Sequence, residues 1–127
     1  MILAGQSAGA VAALRAAAES PEGLVAVLAF AADRLGEVFH ELGAAVPVPV
    51  LLYYAKNDRY FGPAASRAWF ARFQAGGGRA EYVLEPAFGR DGHFIFTHAD
   101  GTVLWVPRVE RFLAGHRIAF GGPRERF

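Results

Sequence analysis

Met1-Ile2-Leu3-Ala4-Gly5-Gln6-Ser7-Ala8-Gly9-Ala10-Val11-Ala12-Ala13-Leu14 opens the chain, and its reading governs everything that follows. Ile2 to Ala4 is a short apolar run. Ala8 to Glu19 reads as a helix: alanine and leucine are strong helix formers, and Val11, Leu14 and Ala18 recur three and four residues apart. Between the two, Gly5-Gln6-Ser7-Ala8-Gly9 matches Gly-x-Ser-x-Gly after a strand and before a helix, the setting this motif needs. So sharp a turn forces the serine into a strained backbone conformation. Glycines on either side are expected to remove side chains that would collide with the strand and helix. Ser7 Oγ is then exposed at a helix amino terminus, where the dipole favours developing negative charge, and the Ala8 N–H points at an oxyanion. With 15 glycines and few serines the pattern arises by chance only about 0.04 times in such a chain. A helix-capping serine in a glycine-rich turn is therefore the lesser reading.

Working outward, Ser20-Pro21-Glu22-Gly23 is a turn cluster. Leu24 to Phe30 is continuously apolar, as a strand buried on both faces reads. Leu35 to Leu42 fits a short helix. Pro47 to Tyr54 is the next strand, with Pro47 and Pro49 at its start because proline cannot donate to a ladder. Pro63 to Gln74 is a helix with proline in its first turn and a stripe at Ala65, Trp69 and Phe73. Gly76-Gly77-Gly78 stops it, and Ala80 to Leu84 is a further strand. A long loop from Glu85 to Asp100 follows. The last helix starts near Pro107 and stops at Gly115, leaving an ordered core of about residues 2–115 and a tail over 117–127. Strands alternating with helices predict an α/β fold: a parallel sheet of about four strands with flanking helices. Right-handed crossovers put every strand carboxyl end on one edge, and ligands bind beyond that edge.

Composition narrows the classes. The chain has 127 residues, enough for one domain and too few for two. Hydrophobic residues make up 54% and charged residues 20%, which excludes disorder over most of the length. Thirteen basic and 12 acidic residues give a formal net charge of +1, so no nucleic-acid partner is expected. There is no cysteine, which removes disulfides, zinc fingers and a thiol nucleophile. No apolar run reaches the roughly 18 residues of a membrane span. The start at Met1 lacks the positive region of a secretory signal. No membrane partner and a cytoplasmic location are the expectations for the chain as it stands. No metal site and no cofactor are expected either: His93 and His98 lack helical i, i+4 spacing and no carboxylate cluster joins them.

A serine nucleophile needs a base, and the base needs an orienting acid. Asp58 follows the strand ending at Tyr54 and is the first candidate for the acid; Asp33, after Phe30, is the second. His93, in the loop after the last strand, is the first candidate for the base, and His98 the second. His40 on a helix and His116 after one are read as solvated or core residues. Ser7, Asp58 and His93 thus follow three strands at one edge, in the chain order of α/β-hydrolase triads. Tyr60, Phe61, Phe88, Phe94 and Phe96 neighbour them and are candidate walls of an apolar pocket.

Gly-Gln-Ser-Ala-Gly, then Pro-Val-Leu-Leu-Tyr-Tyr-Ala-Lys-Asn-Asp-Arg-Tyr-Phe, then Phe-Gly-Arg-Asp-Gly-His-Phe resembles the carboxyl-terminal half of an α/β-hydrolase of the dienelactone-hydrolase-like branch. The resemblance runs from Ile2 to Leu113. It implies Ser7 as nucleophile, Asp58 as acid, His93 as base and Ala8 as an oxyanion donor, acting on a small ester or lactone. Dienelactone hydrolase proper uses cysteine, so serine here moves the expectation toward an esterase. The family places several strands before this turn and draws its second oxyanion donor from a loop after one of them. The expectation is a single partial domain, truncated and weakly active alone, with Ile2–Ala4 as an edge strand open to a second copy or a partner chain. The alternative is a non-catalytic remnant serving as an interaction module. A nucleotide-binding domain is disfavoured, since neither Gly-x-x-x-x-Gly-Lys-Ser/Thr nor Gly-x-Gly-x-x-Gly is present.

Overall fold

A computed structural model describes residues 1–32 and 38–118. Four strands, β1 (Ile2–Gln6), β2 (Ala26–Phe30), β3 (Val50–Ala55) and β4 (Ala80–Glu85), form one sheet in the order β1-β2-β3-β4. Every pair is parallel, with Leu3 opposite Val27, Val27 opposite Val50 and Val50 opposite Ala80. The helices are α1 (Ala8–Ala18), α2 (Val38–Ala45), α3 (Pro63–Ala75) and α4 (Thr102–Gly115).

Sheet order and chirality fix where the helices go. Successive strands add on the same side, so three right-handed crossovers place α1, α2 and α3 on one face. There, Leu14, Phe39, Leu42, Trp69 and Phe73 pack on Val27, Ala29, Val50, Leu52 and Tyr54. Among the described helices, α4, after the last strand, covers the other face. Its Val109, Phe112 and Leu113 pack on Ala26, Leu28, Phe30, Leu51 and Tyr53. β2 and β3 are buried along their whole length, which is why their sequences run apolar instead of alternating. β1 is an edge with Ile2 and Leu3 half-buried and Ala4 exposed.

The expected elements are present with shifted ends. β2 starts at Ala26 and β3 at Val50, each later than the apolar run suggests, because ladder pairing begins only where the neighbours overlap. The helix expected over Leu35–Leu42 is found over Val38–Ala45; residues 35–37 lie outside those described, as does the tail from 119. The last helix is corrected more substantially. It begins at Thr102, not near Pro107, and Pro107 lies inside it. The Val103 carbonyl thereby loses its i+4 donor, at a residue that is 75% exposed, where an unpaired backbone group costs less than in the core. The loop after β4 contains two short 3-10 turns, Gly92–Phe94 and Ala99–Gly101, the second running directly into α4. No helix among the described residues is long and apolar enough to cross a membrane.

Candidate active site

The turn from β1 to α1 places Ser7 at φ 58°, ψ −122°, a region non-glycine residues rarely occupy. Ladder pairing holds it there: Ser7 N–H donates to Phe30 O at 2.8 Å, and Ser7 O accepts from Ala10 N at 3.0 Å. The two motif glycines are not equivalent. A Cβ on Gly5 would overlap the Gly9 carbonyl and stand 2.7 Å from the Ala10 nitrogen, so only glycine fits. A Cβ on Gly9 would meet nothing within 4 Å. The expectation that both glycines clear space is therefore corrected for Gly9. Ala8 is the first residue of α1 and so carries one of the N–H groups that a helix leaves without an intrahelical partner.

Asp58 lies three residues beyond β3. Its Oδ1 accepts from Tyr60 N at 2.7 Å and Phe61 N at 2.8 Å, a local turn that fixes the carboxylate. Its Oδ2 is 2.9 Å from His93 Nδ1, and the Asp58 side chain has no exposure to solvent. A carboxylate only accepts, so the Nδ1 proton is on the ring. His93 Nε2 is then free to accept the Ser7 hydroxyl proton across 3.1 Å. His93 is 4% exposed and its carbonyl accepts from Gln6 Nε2 at 2.9 Å. Ser7, His93 and Asp58 thus form one hydrogen-bonded line at the carboxyl edge of the sheet. The second candidates do not join it. His98 caps the Ala99–Gly101 turn and is exposed, and Asp33 lies outside the described residues. His40 is exposed on α2, and His116 lies edge-on to Phe112 and stands 3.9 Å from Glu81.

The five candidate wall residues separate. Tyr60, Phe94 and Phe61 surround His93, with ring centroids 4.3, 5.2 and 5.4 Å from the imidazole. Tyr60 is 60% and Phe94 39% exposed, so both present apolar surface beside the serine line. Phe61 is mostly spent on the core, edge-on to Trp69. Phe96 stacks on Phe30 at 4.0 Å beneath α4. Phe88 lines a cavity of about 460 Å³ with Arg90, Phe94 and His98; neither Ser7, Asp58 nor His93 borders it. Among the described residues, no three His, Asp or Glu side chains converge as metal ligands would.

Sequence reasoning missed a buried network where β4 ends. Tyr53 Oη donates to Glu85 Oε2 at 2.6 Å, and Arg108 Nη2 donates to Glu85 Oε1 at 2.8 Å. Burial, then the Glu85 carboxylate, pushes the Tyr53 phenol above its ordinary 10.0. Nothing in the sequence marks it: that Glu85 is buried, and so demands partners, is decided by the fold.

No family profile and no curated protein matches this sequence. Solved structures do match. A Klebsiella pneumoniae protein assigned as a dienelactone hydrolase superposes with a TM-score of 0.69 at 19% identity, over 91% of this chain and 51% of that one. Its sheet and helices are those of the α/β-hydrolase fold. The Pyrococcus furiosus esterase Pf2001 matches that fold with a TM-score of 0.66 at 15% identity, over 89% of this chain and 52% of its own. Esterase PE8 matches at 27% identity and a TM-score of 0.63, over 88% and 50%. The chain spans about half the length of the α/β-hydrolase structures it matches.

Proposed function

We propose that this chain carries the acyl-transfer site of a serine hydrolase acting on a small carboxylic ester or lactone. The observation that carries the reading is the line from Ser7 Oγ through the His93 ring to Asp58, with gaps of 3.1 and 2.9 Å. Ser7 Oγ attacks the ester carbonyl carbon while His93 Nε2 takes its proton. The tetrahedral oxyanion accepts from the Ala8 N–H at the positive end of α1. The C–O bond to the alcohol breaks, and that alcohol takes the proton from Nε2. Water then attacks the acyl-serine by the same route, releasing the acid and restoring Ser7. Asp58 keeps the Nδ1 proton in place throughout. Tyr60 and Phe94 offer apolar contact to the substrate. If Ala8 is joined by no second oxyanion donor, turnover is expected to be slow, since one missing donor costs about 10²–10³ in rate.

The test is a serine-reactive fluorophosphonate with intact-mass detection, beside Ser7→Ala. One adduct on the wild type and none on the variant supports the reading. A folded wild type that takes no adduct overturns it. One observation favours a second reading, a non-catalytic interaction module: β1 is an edge strand with Ala4 exposed, open to a second copy or a partner chain. Sedimentation of the purified chain separates these, a strictly monomeric species arguing against self-association.

A further inference from the structure

The loops carrying Asp58 and His93 are joined by side chains standing next to those two residues. Asn57 reaches from the β3 loop into the β4 loop. Its Nδ2 donates to Phe88 O at 3.0 Å and Gly89 O at 3.1 Å, and its Oδ1 accepts from Phe88 N at 2.9 Å. Its own carbonyl accepts from Gly92 N at 3.3 Å. Asp91 reaches the opposite way. Its Oδ1 accepts from Arg59 N and from His93 N, each at 3.0 Å. Each loop therefore satisfies backbone groups of the other. Gly92 sits where they touch, and a Cβ there would overlap Asn57 Oδ1 and the Ala55 methyl.

The segment from Pro86 to Asp91 has no strand or helix of its own to hold it. Beyond the packing of Phe88 against the core, its placement relative to β3 rests on these bonds. Asp58 spends Oδ1 on its own turn, so only Oδ2 is left for the imidazole, and the 2.9 Å gap depends on how the loops sit. We propose that Asn57 and Asp91 are positioning residues: a reciprocal clasp that sets the Asp58–His93 distance and hence the tautomer His93 presents to Ser7. Neither touches the serine line's reacting atoms. The inference rests on the hydrolase reading for its kinetic consequence, but not for its structural one.

The chemistry of Asp91 makes a sharp test. Both of its bonds land on Oδ1, so Asp91→Asn keeps an acceptor oxygen there while it removes the charge and turns Oδ2 into an amide NH2. Asp91→Ala removes both bonds, and Asn57→Ala removes three from the other loop. Two readouts are taken on each folded protein: the low-field proton and ¹⁵N shifts of the His93 ring by NMR, and the fluorophosphonate labelling rate. Both alanine variants are expected to lose the Nδ1–H signal and to label about 10²-fold more slowly, the usual effect of a misplaced catalytic geometry. Asp91→Asn is expected to match wild type in both. Alanine variants that keep signal and rate overturn the proposal, and so does an Asp91→Asn variant as impaired as Asp91→Ala, which would make charge the cause. Should Asp91→Ala fail to fold, Asn57→Ala and Asp91→Asn still decide it. If the wild type takes no label while its ring signal responds as described, the clasp stands and the hydrolase reading falls.

Discussion

The two glycines of Gly5-Gln6-Ser7-Ala8-Gly9 should respond oppositely to the same one-carbon change. In Gly5→Ala the new methyl overlaps the Gly9 carbonyl and crowds the Ala10 nitrogen, both backbone atoms of the first turn of α1. No side-chain rotation relieves this, so β1 and α1 must separate. The expected cost is about 3 kcal/mol, the upper end for overpacking. With a urea dependence of about 2 kcal/mol per molar for a chain this size, the unfolding midpoint falls by roughly 1.5 M. In Gly9→Ala the methyl meets open space on a helix, and a compatible glycine replacement stabilises by about 0.4–1 kcal/mol. Its midpoint should rise by roughly 0.2–0.5 M. Paired urea melts followed by far-ultraviolet circular dichroism read both. Fluorophosphonate labelling should be lost in Gly5→Ala and kept in Gly9→Ala. Equal destabilisation of the two variants would refute the reasoning, because it would mean that Gly9 is as confined as Gly5.

Other consequences follow from the same geometry. Ser7→Gly should be more stable than Ser7→Ala by about 1–2 kcal/mol in chemical denaturation, since glycine accepts φ 58° at little cost, while neither variant labels. Asp58→Asn leaves His93 without a carboxylate to hold the Nδ1 proton, and labelling should slow by about 10³–10⁴ with the far-ultraviolet spectrum unchanged; a rate near wild type would remove Asp58 from the mechanism. Tyr53 supplies a pH dependence. Its phenol is held above 10.0 in the folded protein, so the unfolded chain loses this proton first. The resulting stability is complete below about pH 10 and is lost as pH rises beyond it. Tyr53→Phe should flatten that alkaline decline in thermal melts, while costing about 1–3 kcal/mol near neutrality by leaving Glu85 Oε2 short of a donor. An alkaline decline unchanged in Tyr53→Phe would locate its cause elsewhere.

The sequence by itself determined the order and type of the elements, because those rest on local chemistry. An unbroken apolar run over Leu24–Phe30 can be buried on both faces only in a central strand, and β2 is one. The elbow at Ser7 was legible because strand, glycine, serine and helix lie within a few residues. Asp58 and His93 could be named as candidates from their places after strands, and no further. That His93 and not His98 meets both partners was settled by tertiary structure, since the two share one loop and differ only in where it runs. The same holds for Phe96, whose ring turns under α4 to stack on Phe30 while Phe94, two residues earlier, faces His93. Pro107 misled because its missing N–H normally marks a helix start; here it lies inside α4, four residues after the exposed Val103. Asn57, Asp91, Gly92 and the Tyr53–Glu85–Arg108 network were silent in the sequence. Their meaning comes from atoms 20 or more residues away, and only chain packing brings such atoms within hydrogen-bond range.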